Sequence, residues 1–198
     1  MTFSTTTDLM PHQETAAAKL LRSRVGALFM DMGTGKTRTA LELARVRQAK
    51  FDRLIWFCPV SLKETIHFEI LKHTDITEEQ IHAFNAKTSD VNIPMDRLVY
   101  IIGIESMASS TRVVLAANKL TTDRSYVVVD ESSYIKGHRS IRTQRITGIS
   151  ARARYRTILT GTPFTQGVVD LYAQMSFLSP KNPWLQQLLL ILRQPPDI

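Results

Sequence analysis

The chain predicts an α/β fold of three layers, a mostly parallel central sheet with helices on both faces, and two observations carry that expectation. Short β-branched apolar runs alternate with stretches of helical periodicity, and such alternation implies a parallel sheet covered on both sides. Several runs, "YVVV" at 126–129 above all, are apolar at every position rather than every second one, which marks strands buried on both faces.

The elements follow in order. Pro11 suits the first turn of a helix and is followed by the helix formers "QETAAAKLLR". Strands are expected at 25–30, 53–58, 97–103, 125–130 and 155–160, with helices at 36–48, 61–72, about 111–120 and about 140–151. Ser61, after the strand-breaking Pro59 and three residues before Glu64, reads as a helix N-cap in a capping box. Residues 85–96 have loop composition. Past Leu178 the character changes: Leu185, Leu188, Leu189 and Leu192 sit at helical spacing with no strand to follow.

Bulk properties narrow the function classes. A length of 198 residues, 43% hydrophobic and 22% charged, suits one globular domain and excludes wholesale disorder. No apolar run approaches the roughly 18 residues needed to cross a bilayer, and the N-terminus lacks the layout of a secretory signal, so no membrane partner is expected and a cytoplasmic location is. The single cysteine, Cys58, rules out an internal disulfide. Cys58 and Trp56 read as core, and His67, His73 and His82 show no ligand spacing with Cys58. The net charge is +7, and the window from Lys136 to Arg156 alone holds seven Lys or Arg residues and no acid. That excess suits a polyanionic partner or a solvated basic face, and charge alone does not separate the two.

The chemistry concentrates at "LFMDMGTGKTRTALELA", residues 28–44. Gly33 and Gly35 open backbone angles closed to other residues, so that successive amides around Thr34 can line an anion nest. The helix beginning near Lys36 adds its positive dipole end, Lys36 can reach β- and γ-phosphates, and the Thr37 hydroxyl can ligate Mg²⁺. The general phosphate-loop pattern has glycine where this chain has Met30. Such a loop demands a carboxylate at the end of a neighbouring strand. "YVVVDESSYIK" supplies Asp130, placed to hold Mg²⁺ through water, and Glu131, placed to polarise an attacking water.

With those residues in view, the ordered segments "LMPHQ", "DMGTGKT", "WFCPVSLKETIHFEI", "IIGIESM", "VVVDESSYIKG", "LTGTPFTQG" and "DLYAQMSFLSP" resemble the successive motifs of the first RecA-like domain of Swi/Snf-type helicases. These belong to superfamily two and are DEAD/DEAH-box-like. The resemblance covers about residues 9–180, leaving 1–8 as an N-terminal tail and 181–198 as an atypical C-terminal one. It implies a three-layer P-loop NTPase domain that binds ATP with Mg²⁺ and acts on double-stranded DNA with a second RecA-like domain. That second domain is expected to be missing from this chain, through an interrupted or frameshifted gene or its supply as a separate polypeptide.

The resemblance also assigns roles. Gln13 matches the glutamine that recognises adenine. Gly33, Thr34, Gly35, Lys36 and Thr37 match the phosphate loop, Thr37 and Asp130 the metal site, and Lys36, Asp130 and Glu131 the catalytic set. Thr160, Gly161 and Thr162 match the segment that couples hydrolysis to DNA. Ser61, Lys63 and Ser106, with Lys136, Arg139 and Arg142 of the basic window, are candidates for DNA contact. Ser133 stands where the family's acidic box has histidine, which puts the coupling in question. A bacterial or phage source is expected from the lack of attached chromatin-reading segments. The isolated lobe is expected to hydrolyse ATP weakly or not at all, since arginines from the second lobe are missing. The alternative function is a remnant that binds DNA or regulates without turning over ATP.

Overall fold

The computed structural model describes residues 2–162 and 168–179. Six strands form one sheet in the order β1-β6-β5-β2-β4-β3: β1 (Val25–Phe29), β2 (Arg53–Cys58), β3 (Ile81–Ala83), β4 (Val99–Gly103), β5 (Ser125–Val129) and β6 (Tyr155–Thr160). Every strand pair is parallel. The helices are α1 (Pro11–Leu21), α2 (Lys36–Arg47), α3 (Lys63–His73), α4 (Ser106–Ser109), α5 (Thr111–Leu120), α6 (Ile141–Ser150) and α7 (Val168–Leu178).

Alternation along the strands builds two cores. Leu54, Trp56 and Cys58 of β2 face a layer made by Ala17 of α1, Leu41 and Leu43 of α2, and Ile66 and Ile70 of α3. Ile55 and Phe57 face the other way, against Met107, Val113, Ala117, Ile146 and Phe177 of α4, α5, α6 and α7. Residues one apart on a strand point to opposite faces, so a strand with an apolar residue at every position can feed both layers. Trp56 and Cys58 are fully buried, and burial pushes the Cys58 thiol up to about 12, which leaves it unreactive.

The expected strands and helices are present, those at 53–58, 111–120 and 155–160 with the expected bounds and the others with ends shifted by one or two residues. Several short elements carried no usable periodicity, among them β3, α4 and the 3-10 turn Val60–Leu62. Helix α7 follows a stretch read only as a motif. Ser61 does not cap α3. The 3-10 turn comes first, α3 starts at Lys63, and its cap residue Leu62 offers no side-chain bond. Glu105 takes up the turn instead, its Oε2 accepting from the Val60 amide at 2.9 Å. No helix among the described residues is long and apolar enough to cross a membrane. The tail 181–198, with its four spaced leucines, and Pro163 to Gly167 lie outside the described residues.

Candidate active site

The C-terminal ends of parallel strands form the crevice where α/β folds bind ligands, and the candidate residues gather there. The loop after β1 carries Gly33 at φ 76° and Gly35 at φ 79°, both in the left-handed region that favours glycine. Gly35 is also the cap of α2, so the free amides of the first helical turn open onto the loop. Lys36 turns back on the loop and donates to the carbonyls of Met30 and Asp31 at 3.0 and 3.1 Å.

Helix α1 brings Gln13 onto the same loop. Its Oε1 accepts from the Met10 amide at 2.9 Å, and its Nε2 donates to the Thr34 carbonyl at 2.9 Å. The first of these is the helix-capping role open to any first-turn glutamine, and the second ties α1 to the phosphate loop. One N–H of the amide remains for a further acceptor. His12 Nε2 meets the same Thr34 oxygen at 3.0 Å, a contact that the sequence signalled only by adjacency to Gln13.

Asp130 follows β5, but β5 does not neighbour β1. Strand β6 lies between them, so the expectation of a carboxylate on the adjacent strand is corrected to one about 10 Å across, two inter-strand spacings away. The reason is topological, because β6 returns along the chain to fill the gap. Asp130 is 7% exposed. Burial pushes its carboxyl up to about 6, against the Glu131 amide, which donates to Oδ1 at 2.9 Å, the Trp56 indole N–H and the charge of Lys36. Trp56 is near enough to favour the anion without making a hydrogen bond of ordinary geometry.

Strand β6 bridges loop and acid. The Met30 amide donates to the Thr160 carbonyl at 3.2 Å, and Thr160 Oγ1 donates to Glu131 Oε1 at 3.0 Å. A Cβ on Gly161 would meet the Met30 carbonyl oxygen at 3.4 Å, an ordinary contact, so this turn lies beside the glycine loop without needing the space a glycine leaves. The Thr162 amide donates to Thr160 Oγ1 at 3.1 Å. Glu131 itself sits at φ 47°, ψ 57°, the only non-glycine residue with positive φ among those described.

The oxygen donors present suit Mg²⁺. Thr37, at the start of α2, and Asp130 offer a hydroxyl and a carboxylate, and no cluster of three or more His, Cys, Asp or Glu able to hold a metal occurs among the described residues. Mg²⁺ takes one or two protein oxygens and completes its shell with phosphates and water, so a sparse donor set fits this ion better than a dedicated protein cage.

The residues expected to meet DNA do not form one uniform patch. Val60, next to Ser61, and Ser106 converge on Gly103, where an added Cβ would lie 2.5 Å from Val60 Cγ2 and 3.3 Å from Ser106 Oγ. Lys63 is already engaged, donating to the Phe84 carbonyl at 2.6 Å. In the basic window, Arg139 is exposed and Arg142 lies 5.8 Å from the Tyr134 ring centroid. Lys136 ends the turn after the acidic pair. Arg145 binds the Met107 and Ala108 carbonyls of α4, and Arg152 binds Asn118. Arg156, on β6, is held below its usual range by burial. The window's seven cations are therefore shared between surface and scaffold, because a helix and a strand start carry them in different directions.

A family model described as SNF2-related domain matches residues 12–188. The chain is 29% identical over 178 residues to the mouse "DNA annealing helicase and endonuclease ZRANB3", which takes in 89% of this chain and 16% of that protein. It is similar in fold to the Sulfolobus solfataricus SWI2/SNF2 ATPase core in complex with dsDNA, with TM-score 0.73, 21% identity, and coverage of 89% of this chain and 37% of the other. The Pyrococcus furiosus Hef helicase domain gives TM-score 0.67 at 16% identity, covering 89% of this chain and 39% of that one. The chain thus spans about a sixth of that curated relative and somewhat over a third of each solved structure. These relatives come from a mammal and archaea, and the expected bacterial or phage source gains no support from them.

Proposed function

The chain belongs to the SNF2-related domain family, and from that premise we propose that it is the ATP-binding half of a DNA-dependent ATPase or translocase. It couples ATP hydrolysis to movement on double-stranded DNA when a second RecA-like lobe completes it, at an intracellular site of action. The observation that carries this reading is the meeting of three strand ends, with Thr160 hydrogen-bonded to the phosphate loop through its carbonyl and to Glu131 through its hydroxyl.

The triphosphate is the substrate. The amides of residues 33–37 and the N-terminus of α2 receive its oxygens. Lys36 exchanges two carbonyl partners for phosphate oxygens, a stronger charge-assisted pairing. Thr37 and Asp130 would hold Mg²⁺, which supplies neutralising charge between the phosphates. Glu131 orients and polarises the attacking water. Gln13 keeps its remaining N–H for the adenine edge while fixing the Thr34 carbonyl. Duplex contacts come from separate places, Ser61 and Ser106 near Gly103 and the exposed cations of the basic window such as Arg139, with Lys63 joining them only by leaving the Phe84 carbonyl; Lys and Arg there give affinity without sequence preference. Turnover by this lobe alone is slow, because an arginine supplied from outside is worth about 10³ to 10⁵ in rate in related hydrolases.

Calorimetry with Mg-ATP on the wild type and Lys36→Ala, with and without duplex DNA, tests the reading. The expected result is saturable heat for the wild type and its loss in the variant. Equal behaviour of the two proteins would instead favour a remnant that ignores nucleotide.

A further inference from the structure

Ser133 is the departure in the acidic box, and its position answers what that departure does. Its Oγ donates to Glu131 Oε1 at 2.9 Å, and Thr160 Oγ1 donates to the same oxygen at 3.0 Å. Two hydroxyls, one from the turn after β5 and one from the end of β6, thus hold a single carboxylate oxygen. Both lone-pair directions of Oε1 are taken, and Oε2 has no hydrogen-bond partner among the described residues. Thr160 is fully buried, and its hydroxyl also accepts the Thr162 amide. The backbone of Glu131 is held in the left-handed region, a strained placement that persists only where its surroundings fix it.

We propose that Ser133 and Thr160 form a clamp that fixes the Glu131 rotamer by Oε1 and presents Oε2 to the attacking water. In this chain Glu131 itself then links the acidic box to the 160–162 segment, and a shift of that segment moves the water-polarising group directly. Ser133 is a positioning residue. The inference rests on the reading of Glu131 as the base of an ATP hydrolase.

The test combines a thermodynamic cycle with a kinetic split. In urea unfolding, Ser133→Ala is expected to lower the folding equilibrium constant about threefold to tenfold, the range of one net hydrogen bond. The same substitution in a Glu131→Ala background should have no effect. Ser133→Thr, which keeps the hydroxyl, should behave as wild type in both assays. In single-turnover hydrolysis with duplex DNA, Ser133→Ala should slow the chemical step about tenfold, the loss expected from a loosened base, with the dissociation constant for Mg-ATP unchanged. Equal effects of Ser133→Ala in the two backgrounds would overturn the clamp. A loss of ATP affinity matching the loss of rate would overturn the positioning role. If the wild type binds no ATP, the functional reading fails while the unfolding cycle still decides the clamp.

Discussion

A Cβ added to Gly35 would lie 2.1 Å from the Gln13 amide nitrogen, so helix α1 rests on the phosphate loop at a residue without a side chain. Gly35→Ala therefore meets both a contact too close for any Cβ and a φ of 79°. The left-handed conformation costs an alanine about 1–2 kcal/mol, and Gln13 must leave Thr34 as well. Chemical denaturation should show a loss of at least that size, and calorimetry should show no Mg-ATP binding.

Lys36→Ala separates binding from folding. The ammonium's partners are two carbonyls of a largely solvent-accessible loop, which water can serve once it is gone. Stability should change by less than about 1 kcal/mol, as for other surface substitutions, while nucleotide binding disappears. A thermal midpoint several degrees lower would mean that the lysine holds the loop together.

The pH dependence follows from Asp130. Its folded value of about 6 lies above the ordinary 3.8, so between those values the folded state binds the proton more tightly than the unfolded one. Stability of the nucleotide-free chain should accordingly fall as pH rises from about 4 to about 6. The ceiling is about 3 kcal/mol, from two units at 1.36 kcal/mol each. Asp130→Asn should flatten this part of the urea-denaturation profile, and an unchanged slope would place its source elsewhere.

Arg47 is a buried cation with no carboxylate partner among the described residues. It donates to Tyr126 Oη and to the carbonyls of Leu20 and Ser23, and lies 4.8 Å from the Tyr155 ring centroid. It thereby ties the end of α1 to α2 and the sheet. Arg47→Met should cost about 3 kcal/mol in urea unfolding, the combined scale of charged hydrogen bonds and a cation–π contact. Because α1 also carries Gln13, Mg-ATP affinity should fall with it.

The basic window should divide in a salt titration of duplex binding. Removing one phosphate contact lowers the slope of log K against log salt by about 0.9. Arg139→Ala, at an exposed position, should show that change. Arg145→Ala should change the slope less, since its guanidinium is half-buried and turned to the Met107 and Ala108 carbonyls, and should appear in stability instead.

Much of the site was legible because its signals are local. Gly33 and Gly35 announce the loop through angles other residues avoid, and Lys36 and Thr37 follow at fixed spacing. Apolar runs such as 125–129 declare doubly buried strands. Where the signal was short or nonlocal, it failed. Ile81–Ala83 has three residues, too few for a period. Ser61 satisfied a capping pattern, yet Glu105, far along the chain, took the Val60 amide.

The sequence by itself determined the alternation of strands and helices, the left-handed glycine loop at 33–35 and the acidic pair at a strand end, all of which depend on backbone preferences and burial within a few residues. Only the tertiary structure decided that β6 separates Asp130 from the loop strand, that Thr160 and Ser133 share one oxygen of Glu131, and that the arginines of one basic stretch point to different tasks. The physical reason is that strand order and side-chain pairing are fixed by which buried surfaces pack together, and that choice is made between residues far apart in the chain.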